Sequence, residues 1–337
     1  MNKRVTLADL AEKTGLNVST VSRALSRPER VNGATRQLVQ KVAMEAGYTA
    51  NIMARNLSRG TSDTILVLAP SFSGQAISQV FTQILLGICE EAEKLGQSVM
   101  LKQCLNQKIS ANDVLHYLRT GLADSALVVA AENWVLPRDK KPDEKHLPVV
   151  SIMKDLTADG LTSVITQEAN GFASVVDHLI HQGHRSFAYI AGPNNITHEE
   201  IRYRAVRNRL AMHGYANCLI RLEGGPFDMP SGAEAAHHFL NLRERPKAVI
   251  CCSDALALGF LHAVQNQGLK VPQDVAVTGY DGMDYTAFTT PALTTVIQPN
   301  VEIGRAAVQA LRDLKCGCVT TPQLLALSPT FIARQSS

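Results

Sequence analysis

The sequence predicts an α/β protein: a three-helix unit with a helix-turn-helix and a short hinge segment, then two doubly wound parallel α/β units. Three observations carry this prediction. Positive charge is concentrated at the N-terminus, the first fifty residues hold three closely spaced sets of helix start and stop signals, and from Thr64 onward short β-rich runs alternate with amphipathic stretches. The chain has 337 residues with 45% hydrophobic and 19% charged side chains, enough for more than one core and against wholesale disorder. No apolar run approaches the roughly 18 residues needed to span a bilayer, and the start MNKRVTLADLAEKTG turns amphipathic where a secretion signal would turn apolar. A cytoplasmic, nucleoid-associated protein with no membrane partner is expected.

Residues 1–60 carry 10 Lys/Arg against 4 Asp/Glu, a net of +6, whereas the remainder carries 23 against 26, a net of −3. A small basic piece on a mildly acidic body points to a polyanion as the partner of the N-terminus. Thr6 and Asp9 form a near capping box that opens a helix from Leu7 to Lys13, and Gly15 ends it. Asn17 is placed to cap a second helix from Val18 to about Leu25, and the short Thr14–Asn17 connection forces a steep crossing. A third helix fits Ala34 to Ala46, where Val39, Val42, Ala43 and Ala46 recur at helical spacing and Gly47 supplies the left-handed stop.

In a helix-turn-helix the second helix enters the major groove. Its outward residues here are Val18, Ser19, Thr20, Ser22 and Arg23. Arg23 can give two parallel hydrogen bonds to guanine O6 and N7 or clamp a phosphate; Val18 can touch a thymine methyl or simply cover the turn. Thr6 joins this set as a candidate DNA contact at the first helix.

The stretch from Val5 to Leu57, with its T-L-x-D-L-A opening, T-V-S-R in the second helix, T-R-x-x-V in the third and G-Y at its close, resembles the headpiece of the lac-repressor/galactose-repressor family. Asn17 stands where the family usually has Ser, which is still a capping residue. Residues 51–58 are too short to form a stable helix alone in water. The resemblance implies that this hinge folds only on DNA, where two copies pair and insert Leu57 into the minor groove beside Ala54, with Asn51 on the backbone. The implied divisions are a headpiece at 1–48, a hinge at 49–62 and an effector-binding and dimerisation domain at 63–337.

In the body, TILVLAP, QSVMLK, SALVVAA, PVVSIM and TSVIT predict the strands of a first unit, with helices at Ser78–Leu95 and Ser110–Arg119. SFAYIAG, CLIRLE, KAVICCS and VAVTGYDG predict the second, with helices at Gly171–His181, Glu199–Met212, Gly232–Leu242 and Ala255–Asn266. Ligands in such folds bind beyond the carboxyl ends of the strands, so strand-end residues are the candidates for a cleft between the units.

The resemblance continues through G-H-R-x-x-x-Y-I-A-G-P at Gly183–Pro193, S-D-A-L-A-L-G at Ser253–Gly259, G-Y-D at Gly279–Asp281 and Q-P-N-V-E-I-G at Gln298–Gly304, the last resembling most the cytidine-repressor branch. It implies subdomains of periplasmic-binding-protein type and an effector site made by Phe81, Arg202, Phe227, Ser253 and Asp281. The chemistry suits a polyhydroxylated ligand, a sugar or nucleoside: Asp281 accepts hydroxyl hydrogens, Arg202 is a fork of donors, and Phe227 covers a ring face. Each has a plainer reading, Asp281 as a turn cap, Arg202 as a helix-surface charge, Phe227 as core. Met153, Thr166 and Gln167 depart from the family's usual choices, which leaves the effector's identity open.

The resemblance thus implies a dimeric, effector-controlled regulator, a repressor, on a near-palindromic double-stranded operator. The alternatives are a solute-binding protein or a sugar-metabolising enzyme without a DNA role. No GxGxxG, GxxxxGK[ST], GxSxG or HExxH is present, so no catalytic residue or cofactor is expected. His178, His181 and His184 lack acidic or thiol partners at ligand spacing, so no metal is expected either. The seven cysteines, an odd number without a CxxC, are expected to be reduced and mostly buried. With no heptad segment after SPTFIAR, a homodimer is expected rather than a coiled-coil tetramer.

Overall fold

A computed structural model describes residues 5–26, 28–48, 61–70, 75–104, 109–132, 134, 148–194 and 196–337. The chain forms two compact units, residues 1–63 and 64–337.

In the first unit α1 spans Leu7–Thr14, α2 Val18–Ser26 and α3 Gly33–Glu45. The Thr6–Asp9 capping box closes in both directions: the Thr6 amide donates to Asp9 Oδ2 at 2.8 Å, and the Asp9 amide to Thr6 Oγ1 at 3.3 Å. Aspartate therefore serves where the longer glutamate is usual. α1 stops at Gly15, with φ +68°, and α2 starts on the Asn17 carbonyl, which accepts from the Thr20 and Val21 amides. Asn32 caps α3 through the Ala34 amide at 2.9 Å, and the Tyr48 amide closes the helix end on the Ala43 carbonyl. Leu10, Val21 and Val39, one from each helix, are fully buried and make a single small core with Ala11, Ala24 and Ala43.

The second unit holds two parallel sheets. The first contains β1 (Thr64–Pro70), β2 (Ser98–Cys104), β3 (Ser125–Val129), β4 (Val149–Ile152) and β5 (Thr162–Thr166), with helices α4 (Gln75–Lys94) and α5 (Ala111–Arg119). Alternate residues of β1 face opposite ways: Ile65, Val67 and Ala69 pack with Ile84 and Ile88 of α4, while Leu66 and Leu68 pack with Val114 of α5. Such a doubly covered strand is necessarily apolar on both faces.

The second sheet contains β6 (Phe187–Ala191), β7 (Leu219–Glu223), β8 (Ala248–Cys251) and β9 (Ala276–Thr278) in the order β7-β6-β8-β9. Its helices are α6 (Glu168–His181), α7 (Thr197–Met212), α8 (Met229–Leu240) and α9 (Asp254–Asn266). Two of these four helices begin a turn earlier than the pattern predicts. α8 starts at Met229 rather than Gly232 because Asp228 accepts from the Ser231 amide at 2.9 Å and Pro230 fits a first turn; α6 starts at Glu168 rather than Gly171.

The main departure lies after β9. β10 (Thr295–Ile297) leads into α10 (Asn300–Lys315), which packs on α4, and then into β11 (Leu324–Leu327), which pairs with β5 and completes a six-stranded sheet of order β11-β5-β4-β3-β1-β2. β12 (Thr330–Ile332) returns to pair antiparallel with β10. The chain thus crosses between the sheets three times, near residues 167, 298 and 328. Gln167 ties the first and third crossings, its amide donating to the Leu327 carbonyl at 2.8 Å and its side chain accepting from Ser328 Oγ at 3.0 Å.

The cysteines differ from expectation. Cys316 and Cys318 form a disulfide across the turn after α10, where Gly317 lets the chain fold back and their Cα atoms lie 5.4 Å apart. Cys251 and Cys252 are buried, but Cys89 is exposed and Cys104 and Cys218 are half-buried.

Candidate functional site

Helical periodicity in α2 turns Val21 and Ala24 into the core and leaves the opposite face to solvent. Val18 is 47% exposed, Ser19 and Arg23 are exposed, and Thr20 and Ser22 are half-exposed. Arg23 lies along this face, its Nε donating to the Ser19 carbonyl at 3.2 Å. Both are groups that a DNA backbone or base edge could engage in place of each other. Thr6 is held in its capping box. Asn51, Ala54 and Leu57 lie outside the described residues.

In the second unit the strand-end candidates converge. Arg202, one turn into α7 after β6, is buried rather than on the helix surface. Its Nε and Nη2 donate to Glu168 Oε1 at 2.9 and 2.6 Å, its Nη1 to the Cys252 carbonyl at 2.8 Å, and its guanidinium lies 4.6 Å from the centre of the Tyr280 ring and 5.9 Å from that of Phe227. Glu168 sits at the first crossing between the sheets; its other oxygen meets His198 Nδ1 at 3.0 Å. Burial pushes the Glu168 carboxyl up, but Arg202 and His198 beside it outweigh burial and hold it down at about 2.

Asp281 follows β9 at φ +125°, a conformation that side chains other than glycine rarely adopt. It is fixed from both sides of the second crossing: its amide donates to the Val296 carbonyl at 3.0 Å, and its Oδ1 accepts from Gln298 Nε2 at 2.9 Å. Ala130 after β3 and Met153 after β4 also have positive φ. Such conformations persist only where the surroundings impose them, and they concentrate at functional sites. All three here stand at carboxyl ends of strands.

Ser253 is the buried N-cap of α9, its Oγ accepting from the Leu256 amide at 3.3 Å. The next residue, Asp254, accepts from the Met283 amide at 2.8 Å and from Thr295 Oγ1 at 2.5 Å. Burial pushes the Asp254 and Asp281 carboxyls above the ordinary carboxylate range, and Glu199 likewise. Phe81 is buried in α4 within the cluster that contains Met283, two residues beyond Asp281. The structure therefore brings Arg202, Phe227 and Asp281 into one neighbourhood with Ser253 at its edge, and Phe81 into the adjoining core.

Sequence reasoning missed several participants. Glu168, His198, Tyr280 and Gln298 complete the surroundings of Arg202 and Asp281; Glu132, after β3, binds Lys154 Nζ at 2.8 Å and Thr197 Oγ1 at 2.6 Å. The signal for Glu168 and Glu132 was their place just beyond strand ends. Among the described residues there is no group of His, Cys, Asp and Glu placed to hold a metal, and no helix long and apolar enough to cross a membrane.

Comparison with known proteins agrees with both units. Residues 6–51 match the bacterial regulatory proteins of the lacI family, and residues 176–337 match the periplasmic binding protein-like domain. The transcriptional repressor CytR of Escherichia coli (strain K12) is 34% identical over 310 residues, covering 91% of this chain and 89% of that protein. The repressor PurR of Pectobacterium carotovorum subsp. carotovorum (strain PC1) is 28% identical over 335 residues, covering 98% and 96%. The crystal structure of the lac repressor dimer bound to operator and the anti-inducer ONPF superposes with a TM-score of 0.83 at 25% identity, covering 99% of both chains. A helix-turn-helix with an outward α2 face, two parallel sheets crossed three times and a whole-length repressor relative have one common explanation: the chain belongs to the lacI family of bacterial regulatory proteins.

Proposed function

We propose that the protein is a cytoplasmic transcriptional repressor that binds a near-palindromic operator as a homodimer, with its DNA affinity set by a small metabolite such as a sugar or nucleoside. The observation that carries this reading is the Arg202–Asp281 neighbourhood: a buried fork of donors and a strained acceptor at strand ends, flanked by the Phe227 and Tyr280 rings. In this reading residues 1–48 are the DNA-binding headpiece, 49–62 the hinge with Asn51, Ala54 and Leu57 on DNA, and 63–337 the effector-binding and dimerisation domain. Thr6, Val18, Ser19, Thr20, Ser22 and Arg23 meet DNA; Phe81, Arg202, Phe227, Ser253 and Asp281 make or border the effector site.

A regulatory rather than catalytic role is supported by the state of the strand-end serine, since Ser253 Oγ is engaged as a helix cap, accepting from the Leu256 amide. Effector control requires that the metabolite bind two conformations with different affinity, typically by about 1 to 3 kcal/mol. The test is fluorescence anisotropy with DNA from upstream of its own gene, at two salt concentrations, with and without pools of sugars and nucleosides. Tight, salt-steep binding altered by one pool is expected, and loss of DNA binding with retained ligand binding after deletion of residues 1–60. Salt-insensitive binding, or none in any condition, overturns the reading.

A further inference from the structure

We propose that Glu168 sets the charge selectivity of the effector site: by occupying the Arg202 guanidinium it closes the site to carboxylates and phosphates and reserves it for uncharged, hydroxyl-bearing ligands. The inference rests on the effector reading above and adds to it a class of ligand and the residue that selects it.

An arginine buried beside aromatic rings is ordinarily a receptor for an anion, because its planar fork matches two oxygens and its charge is unscreened. Here that receptor is filled from within the chain. Glu168 Oε1 takes both Nε and Nη2 of Arg202, and the Cys252 carbonyl takes Nη1. Of the five guanidinium hydrogens three are engaged, so two remain to donate to hydroxyl or carbonyl oxygens of a ligand. The donors survive while the net charge is cancelled.

The basic groups nearest Arg202 are themselves paired with acids, and Arg334, which acts on the Asp254 carboxyl, donates to Thr286 Oγ1 and the Leu293 carbonyl at 2.8 Å each. Among the described residues around the site, His198 is paired with Glu168 at 3.0 Å, Lys154 with Glu132 at 2.8 Å, and Arg221 lies 3.7 Å from Glu199 and 3.3 Å from Glu223. Asp281, Asp254 and Glu199 are further acids, all buried. An incoming carboxylate or phosphate at the Arg202 fork would be buried beside Glu168, with the guanidinium charge already paired, and an uncompensated buried charge is strongly disfavoured. An uncharged polyol meets two free arginine hydrogens and the acceptor oxygens of Asp281 without that penalty.

The test uses the full-length protein, its Glu168→Gln variant and matched probes: ribose and ribose 5-phosphate, glucose and glucuronate, cytidine and cytidine 5′-monophosphate, and inorganic phosphate, each titrated by calorimetry and thermal shift. Wild type is expected to bind the uncharged member of a pair at least about tenfold more tightly than its anionic partner and to ignore inorganic phosphate. Glu168→Gln keeps the hydrogen-bond acceptor but frees the charge, so the preference should fall by about tenfold and inorganic phosphate should begin to stabilise the variant. Glu168→Asn serves if the glutamine variant does not fold. Wild type binding an anionic partner equally well or better overturns the proposal, as does a charge preference unchanged in both variants. If no sugar or nucleoside binds, the effector reading fails for these compounds, and the phosphate titration still decides this one: a gain confined to the Glu168 variants sustains it, and no gain sinks it.

Discussion

Thr197 Oγ1 donates to Glu132 Oε2 at 2.6 Å, joining the segment after β3 of the six-stranded sheet to the first residue of the helix after β6 of the four-stranded one. Lys154 Nζ holds the same carboxylate at 2.8 Å and the Glu132 carbonyl at 2.8 Å. Three strand ends from two sheets therefore meet on one acid. Thr197→Val keeps the shape and removes one donor, so it should lower stability by about 1 kcal/mol. Lys154→Met leaves Glu132 without its cation and should cost more. Urea denaturation of both variants checks the order; equal losses would mean that Glu132 relies on neither partner in preference to water.

The buried acids give stability two opposed pH dependences. Glu168 is held in the fold at about 2, below its ordinary value, so its contribution is complete above about 4.5 and is lost as the pH falls towards 2. Asp254 and Asp281 are pushed the other way by burial: they favour the fold while protonated, and that contribution shrinks as the pH climbs from about 4 towards neutrality. Asp281→Asn should flatten the decline on the neutral side and leave the acid limb in place. Thermal melts from pH 3 to 9 test this; an unchanged neutral limb would show that Asp281 ionises in the fold without penalty.

How much of this was legible in the sequence follows from how local each feature is. The Thr6–Asp9 box, the Gly15 stop and the strands TILVLAP and TSVIT are written within a few residues, and each forms where the pattern puts it. α10 and β11 escape a local reading because their partners, α4 and β5, lie far back in the chain. Glu168 escaped for the same reason at the scale of one side chain. Nothing in Thr-Gln-Glu announces an arginine 34 residues away; only the first crossing between the sheets brings them together.

In the headpiece, Arg23→Ala should weaken specific operator binding by about 1 to 3 kcal/mol and relax preference at one base pair if the guanidinium reads guanine. If it clamps a phosphate instead, affinity should drop uniformly across sequences and the salt slope should fall by about one. Anisotropy titrations on the operator and on single-base variants at two salt concentrations separate these outcomes. An unchanged affinity on every DNA would remove Arg23 from the interface.

The packing of α10 on α4 is set by two glycines facing one another's backbone. A Cβ on Gly304 would collide with the Ile84 carbonyl oxygen, and one on Gly87 with the Val301 carbonyl oxygen. Rigid backbone on both sides cannot yield as a side-chain tip could, so the helices must separate to admit even a methyl group. Separation loosens Ile84, Ile88, Ile303 and Ala307, which are all fully or nearly fully buried between α4, α10 and the sheet. Overpacking of this kind costs about 1 to 3 kcal/mol. Gly304→Ala should therefore lower the thermal midpoint by several degrees, and Gly87→Ala by a similar amount. Because both substitutions push the same two helices apart, the double variant should lose less than the two single losses added together. Full additivity in denaturant melts would mean that each methyl is accommodated by its own local adjustment and that the close approach of the two helices is not shared between the glycines.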